Sequence, residues 1–394
     1  MRNVGTVVRG IRTPIIKEND DLASIVVDSL MAAKESEHFE FKDKDIVAIT
    51  EAVVGISEGN YVSVDDIAQD IINKFPSKSI GVVNPILSRN RFSIILKGIA
   101  RGMDKIILLT SFPSDEVGNG ILDEDILEKS EFNLASTITE EQYKETFGSW
   151  MHPFTGINMV DFYRELIESE NCDVEFIFSN DVKTILNYTQ DVLTCDIHTR
   201  EKTVKLLKSL GANVYGLHQV LSEPIGDSGF NQNYGLLGSN KATEEKLKLF
   251  PKTGDELVVE VQKRLIKLTG KQIEVMIYGD GAFKDPVGKI WELADPVVSP
   301  AHTSGLVGYP NEIKLKYVSD NKFADLKGDE LKDAIKKEIK NKDKDLTGQM
   351  ITEGTTPRVL TDLIGSLCDL TSGSGDKGTP VIFIQGYFDN LAND

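Results

Sequence analysis

The stretch "TSGSGDKGTPVIFIQGY", residues 371–387, decides the fold because it joins a glycine-rich loop directly to an apolar run. Three of the six residues 373–378 are glycines, and "PVIFIQ" after them is typical of a buried strand. In the usual phosphate-binding loops, a strand precedes the glycines and a helix follows them. Here the helical pattern comes first, so two hypotheses stay open: a ligand-binding loop and a surface loop.

Strand and helix patterns alternate through much of the remaining chain. Residues 4–16, "VGTVVRGIRTPII", predict a first strand that ends at Pro14, and residues 45–56, "DIVAITEAVVGI", predict a buried strand. A helical pattern in residues 91–103 is followed by a strand pattern in residues 104–112. The alternation predicts the α/β fold class, mixed with α+β character.

The chain is strongly acidic. It has 394 residues and a net charge of -18, with 40% hydrophobic and 27% charged residues. Such a surface repels nucleic acid and acidic membranes, so we expect neither as a partner. The longest apolar runs have the length of strands and not of membrane spans. A phosphorylated ligand would need a divalent cation to screen the charge.

The cysteines and the first residues favour a cytoplasmic protein. The chain has three cysteines, Cys172, Cys195 and Cys368, and their spacing matches no zinc-binding pattern. An odd number of cysteines without such a pattern indicates buried thiols in a reducing compartment. The opening "MRNVGTVVRGIRTPII" lacks the long apolar core and the cleavage site of a secretion signal.

Two segments with polar residues offer oxygen ligands for a metal ion. Asp280 follows the strand pattern "VMIY", where a carboxylate could hold Mg²⁺ or could belong to an Asp-Gly turn. In "GDSGFNQNYGLLGSNKA", residues 226–242, Asp227 and Asn231 could bind a cation, and Lys241 a phosphate. The alternative is a long loop whose Asn and Gly residues only make turns.

Other polar residues are candidates for ligand binding. Arg89 and Arg91 in "SRNR" suit carboxylate or phosphate groups, although surface ion pairs would explain them equally. His198 in "CDIHTR" is either structural or part of a site. No nucleophile with a matching base can be identified, so the sequence assigns no catalytic residue.

Four segments together resemble one known family. They are "TPIIKENDDLA" (13–23), "DIVAITEAVVGISEG" (45–59), "VMIYGDG" (275–281) and "SGSGDKGTPVIFIQG" (372–386). The last keeps the family's spacing of Gly, Asp, Gly and Pro. In this order the segments resemble the coenzyme F-420-0:L-glutamate ligases (gamma-glutamyl ligases), which join glutamate to a phosphorylated deazaflavin with GTP and a divalent metal. Ile56, Asn231 and Ser374 stand where that family has lysine, aspartate and glutamine.

The resemblance implies a set of binding residues. It implies metal binding by Asp280, with Asn231 at the second metal position and Asp227 near it. It implies GTP (or ATP) as co-substrate, with Mg²⁺ or Mn²⁺. The implied nucleotide-binding residues are Thr13, Pro14, Ile15, Ile16, Thr50, Glu51, Ser372, Gly373, Ser374, Gly375, Asp376, Lys377, Gly378 and Thr379.

The resemblance also implies the overall organisation. Residues 1–394 would form one gamma-glutamyl ligase-like catalytic domain with mixed sheets and an inserted α/β region at about 95–200. Its partners would be a small-molecule acceptor, L-glutamate and a second copy in a homodimer. Two further hypotheses are open: a glutamate ligase for a folate-like or other acceptor, and a non-catalytic nucleotide-binding or regulatory protein.

Overall fold

The computed structural model describes residues 3–153, 155–281, 294–355, 358–373 and 375–393. It confirms the mixed α/β class, because helices pack against sheets of five, three and six strands. Ser374, one of the implied nucleotide contacts, lies outside the described residues. Within the described ranges, no helix combines the length and apolar character that a membrane span requires.

The secondary-structure elements alternate as the sequence predicts. The strands are β1 (Val7–Ile11), β2 (Ile46–Thr50), β3 (Tyr61–Ser63), β4 (Ser79–Val83), β5 (Lys105–Thr110), β6 (Thr137–Thr139), β7 (Asp173–Ser179), β8 (Asp191–Thr194), β9 (Asn213–Gly216), β10 (Asn240–Thr243), β11 (Lys246–Lys248), β12 (Glu274–Tyr278), β13 (Ala301–His302) and β14 (Val381–Gln385). The helices are α1 (Leu22–Glu37), α2 (Glu51–Ser57), α3 (Val64–Lys74), α4 (Ser93–Gly102), α5 (Glu124–Glu128), α6 (Glu140–Phe147), α7 (Met159–Ser169), α8 (Arg200–Ser209), α9 (Gly254–Thr269), α10 (Leu315–Asn321), α11 (Gly328–Asn341) and α12 (Leu360–Ser372).

The five-stranded sheet has the order β1-β14-β2-β12-β13. Only β2 and β12 are parallel; the other neighbours are antiparallel. Side chains of its central strands alternate between two buried clusters. On β2, Val47 and Ile49 face helices α1 and α9, while Ile46 and Ala48 face α12. Burial on both faces explains why these strands read as continuous apolar runs.

The six-stranded sheet has the order β6-β7-β5-β4-β8-β9 and is parallel except for the edge strand β6. From β4 the chain builds outward through β5 and β7 on one side, and through β8 and β9 on the other. This is a doubly wound arrangement, in which loops at the carboxyl ends of the strands commonly form the ligand site. The exit loops of β4 and β5 point toward the five-stranded sheet and line the cleft described below.

The three-stranded antiparallel sheet, β10-β11-β3, lies beside both larger sheets. Leu247 of β11 and Leu249 just after it are buried in the core shared with the six-stranded sheet. Lys248 points instead to Glu51, at the end of β2 in the five-stranded sheet. The hairpin therefore ties the two larger sheets together.

The strand predicted over residues 45–56 is shorter than the sequence indicates. The chain leaves the strand at Thr50, and helix α2 begins at Glu51. The same apolar run serves both elements, because Val54 packs into the core on the helix as Val47 does on the strand. Periodicity alone does not distinguish a short buried strand from a buried helix. The early turn brings the side chain of Glu51 to the end of the sheet.

Helices α3 and α4 pack closely where α4 has no side chain. A Cβ atom on Gly98 would lie 2.6 Å from the Cβ of Ile67 on α3. We therefore expect Gly98→Ala to reduce the free energy of unfolding by about 1–3 kcal/mol through overpacking, although alanine favours a helix by about 1 kcal/mol. Denaturation in urea measures the change.

The control for this substitution is Gly5→Ala. Apart from its chain neighbours, no described residue has an atom within 4 Å of the Cβ position of Gly5, so alanine there should leave stability almost unchanged. A Gly98→Ala protein as stable as the wild type would show that the two helices can separate at no cost.

Candidate functional site

A cleft of about 1110 Å³ lies where the three sheets meet. The exit loops of β4 and β5 and helix α7 form one wall, and the residues after β12 and at the end of α12 form the other. Residues singled out from the sequence meet here although they are far apart in the chain. They are Arg89, Arg91, Lys241, Asp280 and Gly373.

These residues reach the cleft because the strands or helices next to them in the chain end beside the cleft. Asp280 comes two residues after β12 ends, as the strand pattern predicts. Arg89 and Arg91 lie in the turn between β4 and α4. The backbone N–H of Lys241 donates to the carbonyl of Asn90 at 2.7 Å, which holds the β10 hairpin against that turn.

Arg91 is the electrostatic centre of the cleft. Its guanidinium contacts the carboxylates of Asp280 and Asp295, the latter at 2.7 Å. Asp295 is fully buried, and its second oxygen accepts the backbone N–H of Asp280 at 2.8 Å. Burial alone would lower the pKa of Arg91, but Asp295 and Asp280 outweigh it and raise that pKa. The guanidinium therefore stays charged and fixes both carboxylates.

Asp369 on α12 adds a further carboxylate. It accepts the backbone N–H of Gly281 at 3.0 Å, and burial raises its pKa. The hydroxyl of Tyr278 is also buried, and the Ser372 and Thr50 hydroxyls are its neighbours. Burial raises the pKa of this phenol, although the neighbouring Ser372 and Thr50 hydroxyls oppose the rise. The phenol therefore remains a hydrogen-bond donor.

Glu51 forms a buried ion pair behind this group. Its carboxylate lies 2.7 Å from the ammonium of Lys248, and the side chains are only 6% and 7% exposed. Burial raises the pKa of Glu51, and Lys248 counteracts the rise. Asp295 and Arg91 also act on Glu51, so the pair belongs to the same electrostatic group as Asp280.

The segments implied to bind a nucleotide come together beside this group. The backbone N–H of Thr13 donates to the carbonyl of Gly378 at 3.3 Å, and that of Thr50 donates to Pro380 at 2.9 Å. Thr379 closes the glycine loop with a hydrogen bond to the carbonyl of Ser372 at 3.1 Å. The exposed residues of the loop include Gly373, Gly375, Asp376, Lys377 and Gly378.

The loop at residues 226–242 contributes only Lys241 to the cleft wall. The amide of Asn231 is buried; it donates to the carbonyls of Phe250 and Pro251 and accepts the N–H groups of Asn233 and Tyr234. Asp227 is exposed on a turn outside the cleft. His198 is likewise exposed, beside the start of α8.

Asp115 fixes the wall formed by the exit loops of β4 and β5. Its buried carboxylate accepts the backbone N–H groups of Leu87, Val117 and Asn119, and the side-chain amide of Asn119. Burial raises its pKa to about 6, despite these hydrogen bonds. Leu87, Val117 and Asn119 all line the cleft, so this carboxylate sets the shape of the wall.

The chemistry of the donor set fits a divalent cation. Asp280 and Asp369 line the cleft, and carboxylate oxygens are the ligands that Mg²⁺ prefers. The part of the chain that the structure describes contains no ready-made group of three or more metal-binding side chains. The carboxylate of Asp280 contacts the guanidinium of Arg91 instead.

Sequence patterns miss several residues of this site. Asp295, Asp369 and Lys248 lie in no recognisable motif, and Asp115 stands in a segment read only as a loop. The one available signal is the position of Asp369 near the end of the helix that precedes the glycine loop. Their roles come from contacts between residues that are distant in the sequence.

The buried pair of Glu51 and Lys248 makes a prediction about stability and pH. Lys248→Met leaves Glu51 buried without its counter-charge, so we expect a loss of about 3–5 kcal/mol in the free energy of unfolding near neutral pH. The substitution also raises the pKa of Glu51 in the folded protein further above its unfolded value. Stability of the variant therefore falls as pH rises through that window, and its deficit should be smaller at about pH 5 than at about pH 8.

Denaturation at both pH values measures this deficit, and the double variant Glu51→Gln with Lys248→Met is the control. It removes the buried charge and should recover most of the loss. Equal deficits at the two pH values would contradict the electrostatic explanation.

Comparison with known proteins identifies the family of this chain. A search of curated proteins finds no match for this chain. The family described as F420-0:Gamma-glutamyl ligase matches residues 10–386, which include the end of β1, the cleft residues and the glycine loop. This match confirms the resemblance drawn from the four sequence segments. The chain therefore belongs to the F420-0:gamma-glutamyl ligase family and is a ligase.

Proposed function

We propose that this ligase uses GTP and a divalent cation, Mg²⁺ or Mn²⁺, to join L-glutamate through an amide bond to an acceptor like coenzyme F-420-0. One observation carries the proposal: the cleft of about 1110 Å³ gathers carboxylates, arginines and the end of the glycine loop around one space. Pockets for single small ligands usually have about 300–1,000 Å³, so this cleft suits more than one substrate.

The charges of the cleft support binding of a nucleotide in an acidic protein. A cation held by Asp280 would neutralise phosphate oxygens that the net charge of -18 otherwise repels. Arg89 lines the same cleft and has no ion pair within the described residues, so its guanidinium is available to an anion. Backbone N–H groups of the glycine loop can approach phosphate oxygens closely because glycine has no Cβ.

The absence of an identifiable nucleophile agrees with this chemistry. In the proposed reaction, a carboxylate oxygen of the acceptor attacks the γ-phosphorus of GTP, and GDP leaves. The amine of glutamate then attacks the acyl carbon, phosphate leaves, and the amine loses a proton. Both steps depend on positioning and on stabilisation of charge. The bound cation would screen the phosphate charge, while Arg89 and the loop orient the substrates.

Two features of organisation belong to the same proposal. We infer that the additional segment expected at about 95–200 forms part of the six-stranded sheet and belongs to one catalytic domain. We also infer that the enzyme works as a homodimer. The exit loops of this sheet form one wall of the cleft, which supports a role of the extra segment in holding the acceptor. Light scattering of the purified protein measures the oligomeric state.

The assay for the activity uses the purified protein with F-420-0, L-glutamate, GTP and MnCl₂. Mass spectrometry should detect an acceptor enlarged by one glutamyl residue, with one GDP formed for each product. ATP in place of GTP, and a folate-like compound in place of F-420-0, test the nucleotide and the acceptor. GTP hydrolysis without any enlarged product would contradict the proposal.

Asp280→Asn tests the metal position. We expect GTP binding in the presence of Mn²⁺ to weaken at least about tenfold, because the amide no longer neutralises a cation. Isothermal titration calorimetry measures the affinity. Thermal unfolding checks that the variant is folded.

Asp227→Asn is the matched comparison, because this carboxylate is exposed and outside the cleft. Its GTP affinity should equal that of the wild type. If Asp227→Asn weakened GTP binding and Asp280→Asn left it unchanged, the metal position would instead lie in the loop at residues 226–242.

A further inference from the structure

Helix α7 carries apolar side chains in two rows, although one row is enough to hold a helix against a protein core. The residues of the first row are buried in the core shared with the six-stranded sheet: Val160, Tyr163 and Ile167. The residues of the second row, which we call the α7 stripe, line the cleft: Met159, Phe162 and Leu166. Phe162 and Leu166 are only half-buried, so the described residues leave part of this row open to the cleft.

Neighbouring elements extend the α7 stripe into a larger apolar surface. Ile94 on α4 and Val117 in the exit loop of β5 are buried side chains that line the same cleft. Because α4 and α7 pack against each other, Ile94 and the stripe belong to one wall. On the other wall, Leu370 of α12 is 61% exposed and also lines the cleft. Apolar side chains on the walls of a cleft are typical of sites that bind the ring system of a small ligand.

The hydroxyl of Tyr163 fixes the α7 stripe beside a positive charge. It donates to the carbonyl of Ile86 and accepts the backbone N–H of Ser88 at 3.0 Å, which ties α7 to the exit loop of β4. The next residue of that loop, Arg89, is exposed, lines the cleft and makes no ion pair within the described residues. One wall therefore offers an apolar surface and a guanidinium next to each other. A ligand complementary to this wall has a flat ring system with an anionic group beside it.

The arrangement of the segments proposed to bind the nucleotide indicates which substrate uses this surface. The backbone N–H groups of Thr13 and Thr50 bind the glycine loop at Gly378 and Pro380. That loop follows the end of α12, which forms the wall opposite α7. A nucleotide bound at the glycine loop leaves the α7 stripe to the second large substrate, the acceptor.

We propose that the α7 stripe is the subsite for the ring system of the acceptor. In this subsite Phe162 selects a flat aromatic ring, and Arg89 binds the anionic group beside that ring. The inference rests on the proposed function and adds the residues that determine which acceptor is used. Because α7 lies within the segment expected to be additional at about 95–200, acceptor specificity belongs to that segment and nucleotide binding to the five-stranded sheet.

Phe162→Ala tests the subsite through the Michaelis constants of two substrates. We expect KM for F-420-0 to rise by about tenfold, because the contact between the two rings is lost. The KM for GTP should change by less than about twofold, since the nucleotide contacts the opposite wall. Product formation, measured by mass spectrometry while one substrate is varied and the others are saturating, gives both constants. Thermal unfolding checks that the variant is folded.

Two further variants make the comparison specific. Phe162→Leu keeps an apolar side chain but removes the ring, so KM for F-420-0 should rise by less, about threefold. Glu165→Gln is the matched control, because this side chain is exposed on the same helix and does not line the cleft. Both Michaelis constants of Glu165→Gln should equal those of the wild type.

Saturation-transfer NMR on the wild-type protein does not depend on a variant folding. Irradiation of the methyl groups of the protein saturates those ligand protons that lie close to apolar side chains. With F-420-0 as the probe, the ring protons should be saturated more strongly than the protons beside the phosphate. Stronger saturation beside the phosphate overturns the subsite.

The failures of the two proposals are distinguishable. Saturation of the ring protons without any glutamyl product overturns the proposed function alone, whereas neither saturation nor product overturns both proposals. Wild-type protein that forms the product, with a folded Phe162→Ala variant whose KM for F-420-0 is unchanged, overturns only the subsite. A rise in KM for GTP in place of F-420-0 also overturns it, because the stripe then binds the base of the nucleotide.

Discussion

The ion pairs of Arg91 with Asp280 and Asp295 are the constraint on which the arrangement of the cleft depends. Arg91 belongs to the exit loop of β4 in the six-stranded sheet, whereas both carboxylates follow β12 in the five-stranded sheet. A buried guanidinium and a buried carboxylate are each unfavourable without the other. Separating the two walls would leave these charges without their partners and would therefore cost free energy. The distance between the two walls is therefore set electrostatically as well as by packing.

The same physical device recurs around the cleft. Glu51 and Lys248 join the end of β2 to the β10-β11 hairpin, and Asp115 joins the exit loops of β4 and β5. In each case a buried acidic side chain binds at least one donor of a different segment. Part of the excess negative charge of this chain thus holds loops in place around the cleft.

How far sequence reasoning succeeds depends on whether a pattern is local. Strands β2, β12 and β14 are visible because burial on both faces makes them continuously apolar, and Asp280 is noticeable because it ends such a strand. The boundary at Thr50 is not visible, since the same apolar residues suit a strand or a helix. Nor does any local pattern connect Arg91 with Asp280, which lie 189 positions apart. The partners of Asp295 and Lys248 follow only from the packing of the sheets.

The place of β14 in the five-stranded sheet has a consequence for how the chain is made. This strand, residues Val381–Gln385, lies between β1 and β2, and among the described residues β1 pairs with no other strand of the sheet. During synthesis, β1 must therefore wait for residues Val381–Gln385 to emerge before it gains this neighbour. The strands of the six-stranded sheet all lie within residues 79–216, so that sheet can assemble while the ribosome is still translating. Strands β1 and β14 can pair only after the segments between them have been synthesised.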